Sequence, residues 1–407
     1  MRTTFLVLLL HVTLMAAQQQ HEYRFTPFIQ QALHASFSLQ EDAAQIAYEQ
    51  ATLLESTLWE NPNVELGFSD GLNNAIEYNH LEISQKVPLW NEMRSNKNRA
   101  KATLKSATFS KKNTALEVQY RAAFLFHELY FSQQKHTLLQ QQINEANSLK
   151  RIAASRELAG DISGLERSRI DILTTELTMQ QEQEKLRYLT LQYQAQMLLK
   201  SSEAITVSNT FKLPQPPQPD VLHLLGEHHP LHNLYTAQLK ASQHKLDLLK
   251  IRRYFLPELY LYQERSPETD TTVKTDYGFG IRTTIPLWNT QQHRLEMQRA
   301  AILKKRIQKD AFRYRVRKNI TAQYALYLQN KTYLHTYTTG LLESSKTLYE
   351  ITTRSFKLGE KSLLELLDAQ NLYFQNQLKH HDLTARSYRY HLQLLHSAAV
   401  DLLKDPS

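Results

Sequence analysis

Hydrophobic and polar positions along this chain switch twice from a period of two to a period of seven. Val64, Leu66 and Phe68 alternate with Asn63, Glu65, Gly67 and Ser69. Asp70-Gly71 and Asn73-Asn74 then signal a turn, and Leu81, Ile83 and Val87 alternate with His80, Glu82, Ser84 and Lys86. One apolar and one polar face predict a hairpin with strands at about 63–70 and 79–87. Pro88 lacks an N–H for the ladder and closes it. From Asn91, a suitable N-cap, to Leu158 neither proline nor glycine occurs. Val118, Leu125, Leu139, Ala146 and Ala153 fall on one seven-residue series there. The pattern predicts a helix over about 91–159, roughly 100 Å long at 1.5 Å per residue. Gly160-Asp161-Ile162-Ser163-Gly164 reverses the chain. In a returning helix over about 164–200, Leu165, Ile172, Met179, Leu186 and Tyr193 sit at steps of seven, the mark of coiled-coil packing.

The same order then repeats. A first helix runs over about 38–59, and its counterpart over about 230–255, which Pro257 breaks. Leu259 and Leu261 alternate with Tyr260 and Tyr262, and Tyr277, Phe279, Ile281 and Ile285 with Asp276, Gly278, Gly280 and Arg282. This predicts strands at about 258–265 and 275–285. A long helix over about 289–358 and a last one over about 361–402 follow. Asn371 and His381 interrupt the heptads of the last helix, as register-setting residues do. Val87-Pro88-Leu89-Trp90-Asn91 has its echo in Ile285-Pro286-Leu287-Trp288-Asn289; Pro286 follows Pro88 by 198 residues and Gly359 follows Gly160 by 199. The chain is an internal duplication: a first copy over 18–200, a proline-rich connector over 201–222, and a second copy over 223–407.

Composition narrows the class. Arg2, the apolar run Phe5–Met15 and Ala16-Ala17 predict a secretory leader over 1–17. Nine glycines are too few for a glycine-rich α/β enzyme, and without cysteine no disulfide, thiol nucleophile or thiolate metal site exists. No P-loop, G-x-G-x-x-G or G-x-S-x-G run occurs, so the sequence reads as a non-enzyme without a cofactor. No apolar run approaches a membrane-spanning helix. If the chain meets a membrane, it does so with strands, and four strands cannot close a barrel alone. A barrel shared by several chains and a helical rod with β caps both fit.

These features together resemble the TolC-like outer-membrane efflux factors over nearly the whole mature length. The resemblance rests on the doubled hairpin–helix pattern, on Ser84-Gln85-Lys86-Val87-Pro88-Leu89, and on the two glycine turns. Its most specific part is Phe356–Gln370, where Gly359, Leu364, Glu365, Leu367, Asp368 and Ala369 fit a G-x-x-x-x-L-[DE]-x-L-D-A segment. Asn61–Leu66 is similar to the N-P-x-L run of the CzcC- and CusC-like heavy-metal branch. Trp90-Asn91 and Trp288-Asn289 depart from the glycine and basic residues common there. The resemblance implies a homotrimer with a twelve-stranded β-barrel in the outer membrane, continued by a periplasmic α-helical coiled-coil barrel. It implies docking on a periplasmic adaptor and an inner-membrane pump, and a passive exit duct for heavy-metal cations. Drug efflux and type I protein secretion are the alternatives within the class, and a periplasmic scaffold or adaptor lies outside it.

Glu365 and Asp368 share one helix face. Spacing alone makes them a solvated acidic pair at a helix start; the resemblance makes them an acidic ring at the periplasmic aperture. It also suggests a tip latch between Lys361 and Glu166, and makes Gly160 and Gly359 the tip turns where an adaptor docks. Trp90 and Trp288 fit a membrane-interface girdle or a strand–helix core. His228, His229 and His232 surround Pro230 with only Glu227 as a further ligand, which reads as a helix start rather than a metal site. The basic run from Arg294 to Lys318, echoed by Arg94–Lys105, lacks the aromatic interleaving of a nucleic-acid surface. It reads as a solvated face or one that meets anionic outer-membrane lipid.

Overall fold

The structure, a computed structural model, describes residues 21–70, 76–158, 163–208, 215–253, 257–269, 272–285, 288 and 290–404. The expected leader, Gly160, Pro286 and Leu287 lie outside the described residues. In chain order, β1 (His21–Tyr23), α1 (Phe25–Ala35) and α2 (Phe37–Glu55) precede the first hairpin, β2 (Asn63–Asp70) and β3 (Ile76–Lys86). The long helix α3 (Trp90–Leu158) and its return α4 (Gly164–Leu199) follow, then β4 (Ile205–Val207), α5 (Pro219–Glu227) and α6 (Pro230–Ile251). The second hairpin is β5 (Glu258–Thr269) and β6 (Thr272–Arg282). After it come α7 (Gln292–Thr336), a π-helical turn (Tyr337–Leu342), α8 (Glu343–Lys357) and α9 (Leu363–Ser397). The molecule is mainly helical. Its contacts separate into two units: one of residues up to Leu39 with Thr114–His229 and Arg315 onward, the other of Gln40–Asn113 with Pro230–Tyr314.

The second unit carries the sheet. The two hairpins join through β3 and β5 into one antiparallel sheet of order β2-β3-β5-β6. Directly opposed residues point to the same face, so the register sorts the side chains. Val64, Ile83, Leu261 and Phe279 form one row across all four strands, flanked by Leu66 opposite Leu81 and by Leu259 opposite Ile281. The other face carries Glu65, Glu82, Tyr262 and Gly278 in one row and Asn63, Ser84, Tyr260 and Gly280 in the next. Among the described residues nothing covers the apolar band: Val64 is 59% exposed and Phe279 85%. β2 and β6 each pair on one side only. β6 ends at Arg282, three residues before the alternation does, so Ile285 lies beyond the ladder and is exposed.

The first unit is a helix bundle. The predicted α3 series Val118, Leu125, Leu139, Ala146 and Ala153 is buried throughout, and Ser132 completes it at its one polar step. On α4 the packing seam is Ile170, Leu177, Glu184 and Leu191, again at sevens. The series expected to pack, Leu165 to Tyr193, lies elsewhere: all five of its members are about two-thirds exposed. Positions two apart on a helix are about 200° apart, so Ile170 and Ile172 belong to opposite sides. Both stripes are apolar, and the sequence does not say which one the chain itself covers.

The polar steps of three seams meet in one layer. Ser132 Oγ donates to Glu184 Oε1 at 2.5 Å. Lys135 Nζ stands 3.8 Å from Glu184 and 3.6 Å from Asp382, beside His381 of α9. Along α7 and α8 the inward positions run Tyr327, Asn330, Leu334, Tyr337, then Leu342, Ser345, Tyr349, Thr352 and Phe356. The steps are three or four except across the π turn, where the step is five. The expected unbroken helix over 289–358 is thus divided, and the turn keeps the seam inward. Tyr337 anchors it by donating to Asn376 Oδ1 at 2.6 Å.

Three short elements, α1, β1 and β4, carry no heptad signal. α1 buries Phe28, Ile29 and Ala32 completely, against Tyr120, Phe126 and Leu199. β1 pairs in parallel with β4, so part of the expected connector is a strand.

Candidate functional site

The two helices that leave the chain reversals start from the same cap. Gly359 has φ +80°, where a side chain would be strained. Its N–H donates to Phe356 O and that of Glu360 to Ser355 O, a Schellman closure of α8. Three residues later Ser362 caps α9: its hydroxyl accepts from Glu365 N–H, and the Glu365 carboxylate accepts from Ser362 N–H at 2.9 Å. Ser163 and Glu166 form the same reciprocal box at the start of α4. The S-x-x-E spacing was readable at both places and explains why Glu166 and Glu365 hold equivalent positions.

Lys361 pairs with Glu365 of its own turn at 2.6 Å, not with Glu166. The ammonium of Lys361, and then the Ser362 N–H, hold the Glu365 carboxyl at about 2, well below its ordinary range. Glu365 and Asp368 are exposed, while Leu363, Leu366, Leu367 and Ala369 of the same turns are buried. Both acids therefore face away from the core. The two reversals share that core: Leu149, Ala153 and Ile170 pack with Phe356, Leu363, Leu366 and Leu367. Arg156 ties them further, with its guanidinium 4.2 Å from the Phe356 ring centroid. Arg167–Glu157 and Lys150–Asp171 bridge α3 and α4 nearby. A cleft of about 430 Å³ opens beside them, lined among others by Glu145, Arg156, Tyr349 and Phe356.

The polar face of the sheet holds a second cluster that strand alternation alone did not single out. Tyr262 and Tyr260 lie flat across the glycines they oppose: a Cβ on Gly278 would stand 2.4 Å from the Tyr262 ring, and one on Gly280 2.4 Å from the Tyr260 hydroxyl. The ring centroids are 6.2 Å apart, and His80 continues the row 6.3 Å from Tyr262 at an interplanar angle of 23°. Arg282 closes it, 4.9 Å from the Tyr260 centroid and 2.8 Å from the buried Glu82 carboxylate. The signal available in sequence was Tyr-x-Tyr on one strand and Gly-x-Gly on the next.

The two exit tryptophans pack into no core of their own chain: Trp90 is 79% exposed and Trp288 94%. His228 caps the end of α5 and His229 is buried. Among the described residues no group of three His, Asp or Glu could hold a metal ion. No described helix is long and apolar enough to cross a membrane.

No protein-family model and no curated protein matches the chain. Solved structures do. The open-state MtrE outer membrane channel of Neisseria gonorrhoeae aligns with a TM-score of 0.79 at 12% identity, over 94% of this chain and 91% of that one. The CmeC outer membrane channel of Campylobacter jejuni aligns at 0.76 and 12% identity, over 92% and 85%. CusC, solved for its folding and transmembrane channel formation, aligns at 0.77 and 12% identity, over 92% and 91%. At such identity the likeness establishes the fold, that of TolC-type outer-membrane channels.

Proposed function

We propose that this protein is the outer-membrane exit duct of a tripartite efflux system, a non-enzyme that acts as a homotrimer. The observation that carries the reading is a sheet that is incomplete in one chain. It has an exposed face with an apolar band across all four strands, and its two edge strands pair on one side only among the described residues, on a fold shared with outer-membrane channels. An open edge in hydrocarbon leaves backbone groups unsatisfied at several kcal/mol each. Three copies of four strands make a closed twelve-stranded barrel, and the exposed stripe on α4 supplies an apolar seam for a neighbouring copy. Trp90 and Trp288 then stand at the lipid interface, and the helices extend into the periplasm.

In that duct Glu365 and Asp368 ring the periplasmic aperture and concentrate cations. The turns at Gly160 and Gly359 meet a periplasmic adaptor joined to an inner-membrane pump. A Lys361–Glu166 latch requires Lys361 to exchange its present partner. Heavy-metal cargo is supported by the Asn61–Leu66 run alone; the acidic aperture fits cationic cargo of either metal or organic kind.

Purification of the mature protein from outer membranes in detergent, light scattering and planar-bilayer recording test the reading. Trimers with stepwise conductance are expected. A monomer soluble without detergent and silent in bilayers would instead leave a periplasmic scaffold.

A further inference from the structure

We infer that the polar face of the sheet carries a binding floor for flat organic cations, formed by Tyr260, Tyr262 and His80. The inference rests on the duct reading, in which this face lines the lumen, and it names a cargo chemistry for it.

Three observations converge. First, the two tyrosine rings are laid down rather than standing off the sheet. Side chains in strands ordinarily project perpendicular to it, and here glycine opposite each tyrosine gives the ring its bed. Neither glycine has the positive φ seen at Gly359, so neither is required by its backbone. What both allow is the flat ring. Second, the rings form a continuous run with His80, at interplanar angles of 31° and 23°. A π-face directed away from the sheet attracts cations through its quadrupole. Arg282 already uses one end of the run in this way. Third, the floor is edged by carboxylates that have no ion-pair partner among the described residues. Glu65 shares the Tyr262 row, and Glu264 is the next residue of β5 on the same face. Glu82, within that row, is taken by Arg282.

A planar cation settles over Tyr262 with its charge toward Glu65 or Glu264. An aromatic anion meets the same ring but is repelled by both acids. A small hydrated cation gains the charge attraction without the stacking. The face therefore selects for flatness and positive charge together.

The test uses the full-length protein in planar bilayers, with ethidium as flat cation, magnesium as small hydrated cation and naphthalene sulfonate as flat anion. Half-blocking concentrations are normalised to the open current of each variant. Tyr262→Leu is expected to raise the half-blocking concentration of ethidium about three- to thirtyfold, with little change for magnesium. Gly278→Val keeps the tyrosine but removes its bed, and a similar loss is expected while β-propensity is retained. Equal block of the parent and both variants by ethidium, or block by naphthalene sulfonate as strong as by ethidium, would overturn the floor. Should the protein conduct nothing, the duct reading fails. The floor is then judged by ethidium fluorescence on the detergent-purified chain, where unchanged affinity in both variants rejects it.

Discussion

The exposed stripe on α4 gives the sharpest prediction. Leu165, Ile172, Met179, Leu186 and Tyr193 keep about two-thirds of their surface exposed and touch no core of their own chain. Full burial of such a side chain is worth about 1.5–3 kcal/mol, so each still has about 1–2 kcal/mol to gain. Ile172→Ala with Leu186→Ala should then cost roughly 2–4 kcal/mol per interface, or about 6–12 kcal/mol in a ring of three. The chain itself should fold as before, because neither residue packs inside it. The assay is light scattering of the detergent-purified protein across a dilution series, with far-ultraviolet circular dichroism as the check on folding. The double variant should dissociate at concentrations where the parent stays assembled, at unchanged helix content. Leu177→Ala is the contrasting control: it opens a cavity in the seam the chain does cover, worth about 2–5 kcal/mol, and should lower thermal stability. Were the double variant to dissociate like the parent, the stripe would not be the seam between copies, and the argument from its exposure would be wrong.

Two further outcomes follow from protonation. Glu365 is held at about 2 against an ordinary 4.5, so its contribution to the start of α9 is complete above 4.5 and lost as pH falls through about 2. Lys361→Ala should move the Glu365 carboxyl toward its ordinary value in a carbon-detected NMR titration; an unmoved titration would mean that the capping box alone sets it. His127 is buried, with Phe25 and Tyr388 rings 5.5 and 5.4 Å away. Burial first, then His391, lowers it from 6.5 to about 3. Its neutral form is the folded one, so stability is full above 6.5 and drains as pH falls toward 3. His127→Phe should flatten the decline of melting temperature between neutral pH and about 4; superimposable declines would assign it to other groups.

Much of the architecture could be read from alternation and sevens because each strand has one apolar face and each long helix a seam. Val64–Phe68 and Tyr277–Ile281 show period two, and Val118–Ala153 shows period seven, since each must bury or expose one side consistently. The pairing of β3 with β5 could not be read. It joins residues such as Ile83 and Leu261 across nearly the whole first copy, and no local signal encodes a contact so distant. On α4 periodicity was visible but sidedness was not, because two apolar stripes look alike until one is covered. The reversals were marked by glycine and acid. Lys361 lies within one turn of Glu365 and pairs with it inside the chain, a contact its i,i+4 spacing already encoded. α1 is too short, and β1 and β4 too brief, to show a period at all.

The wide turn at Tyr337–Leu342 also reconciles the unequal lengths of the two copies. Trp288 follows Trp90 by 198 positions, but Ser362 follows Ser163 by 199. Between those marks the second copy is one residue longer than the first. In an ordinary helix one more residue would swing everything downstream by about 100° and turn Phe356 away from its neighbours. The π turn takes up one residue around Gly340, where a side chain would meet nothing within 4 Å. The seam thereby faces inward both before and after it.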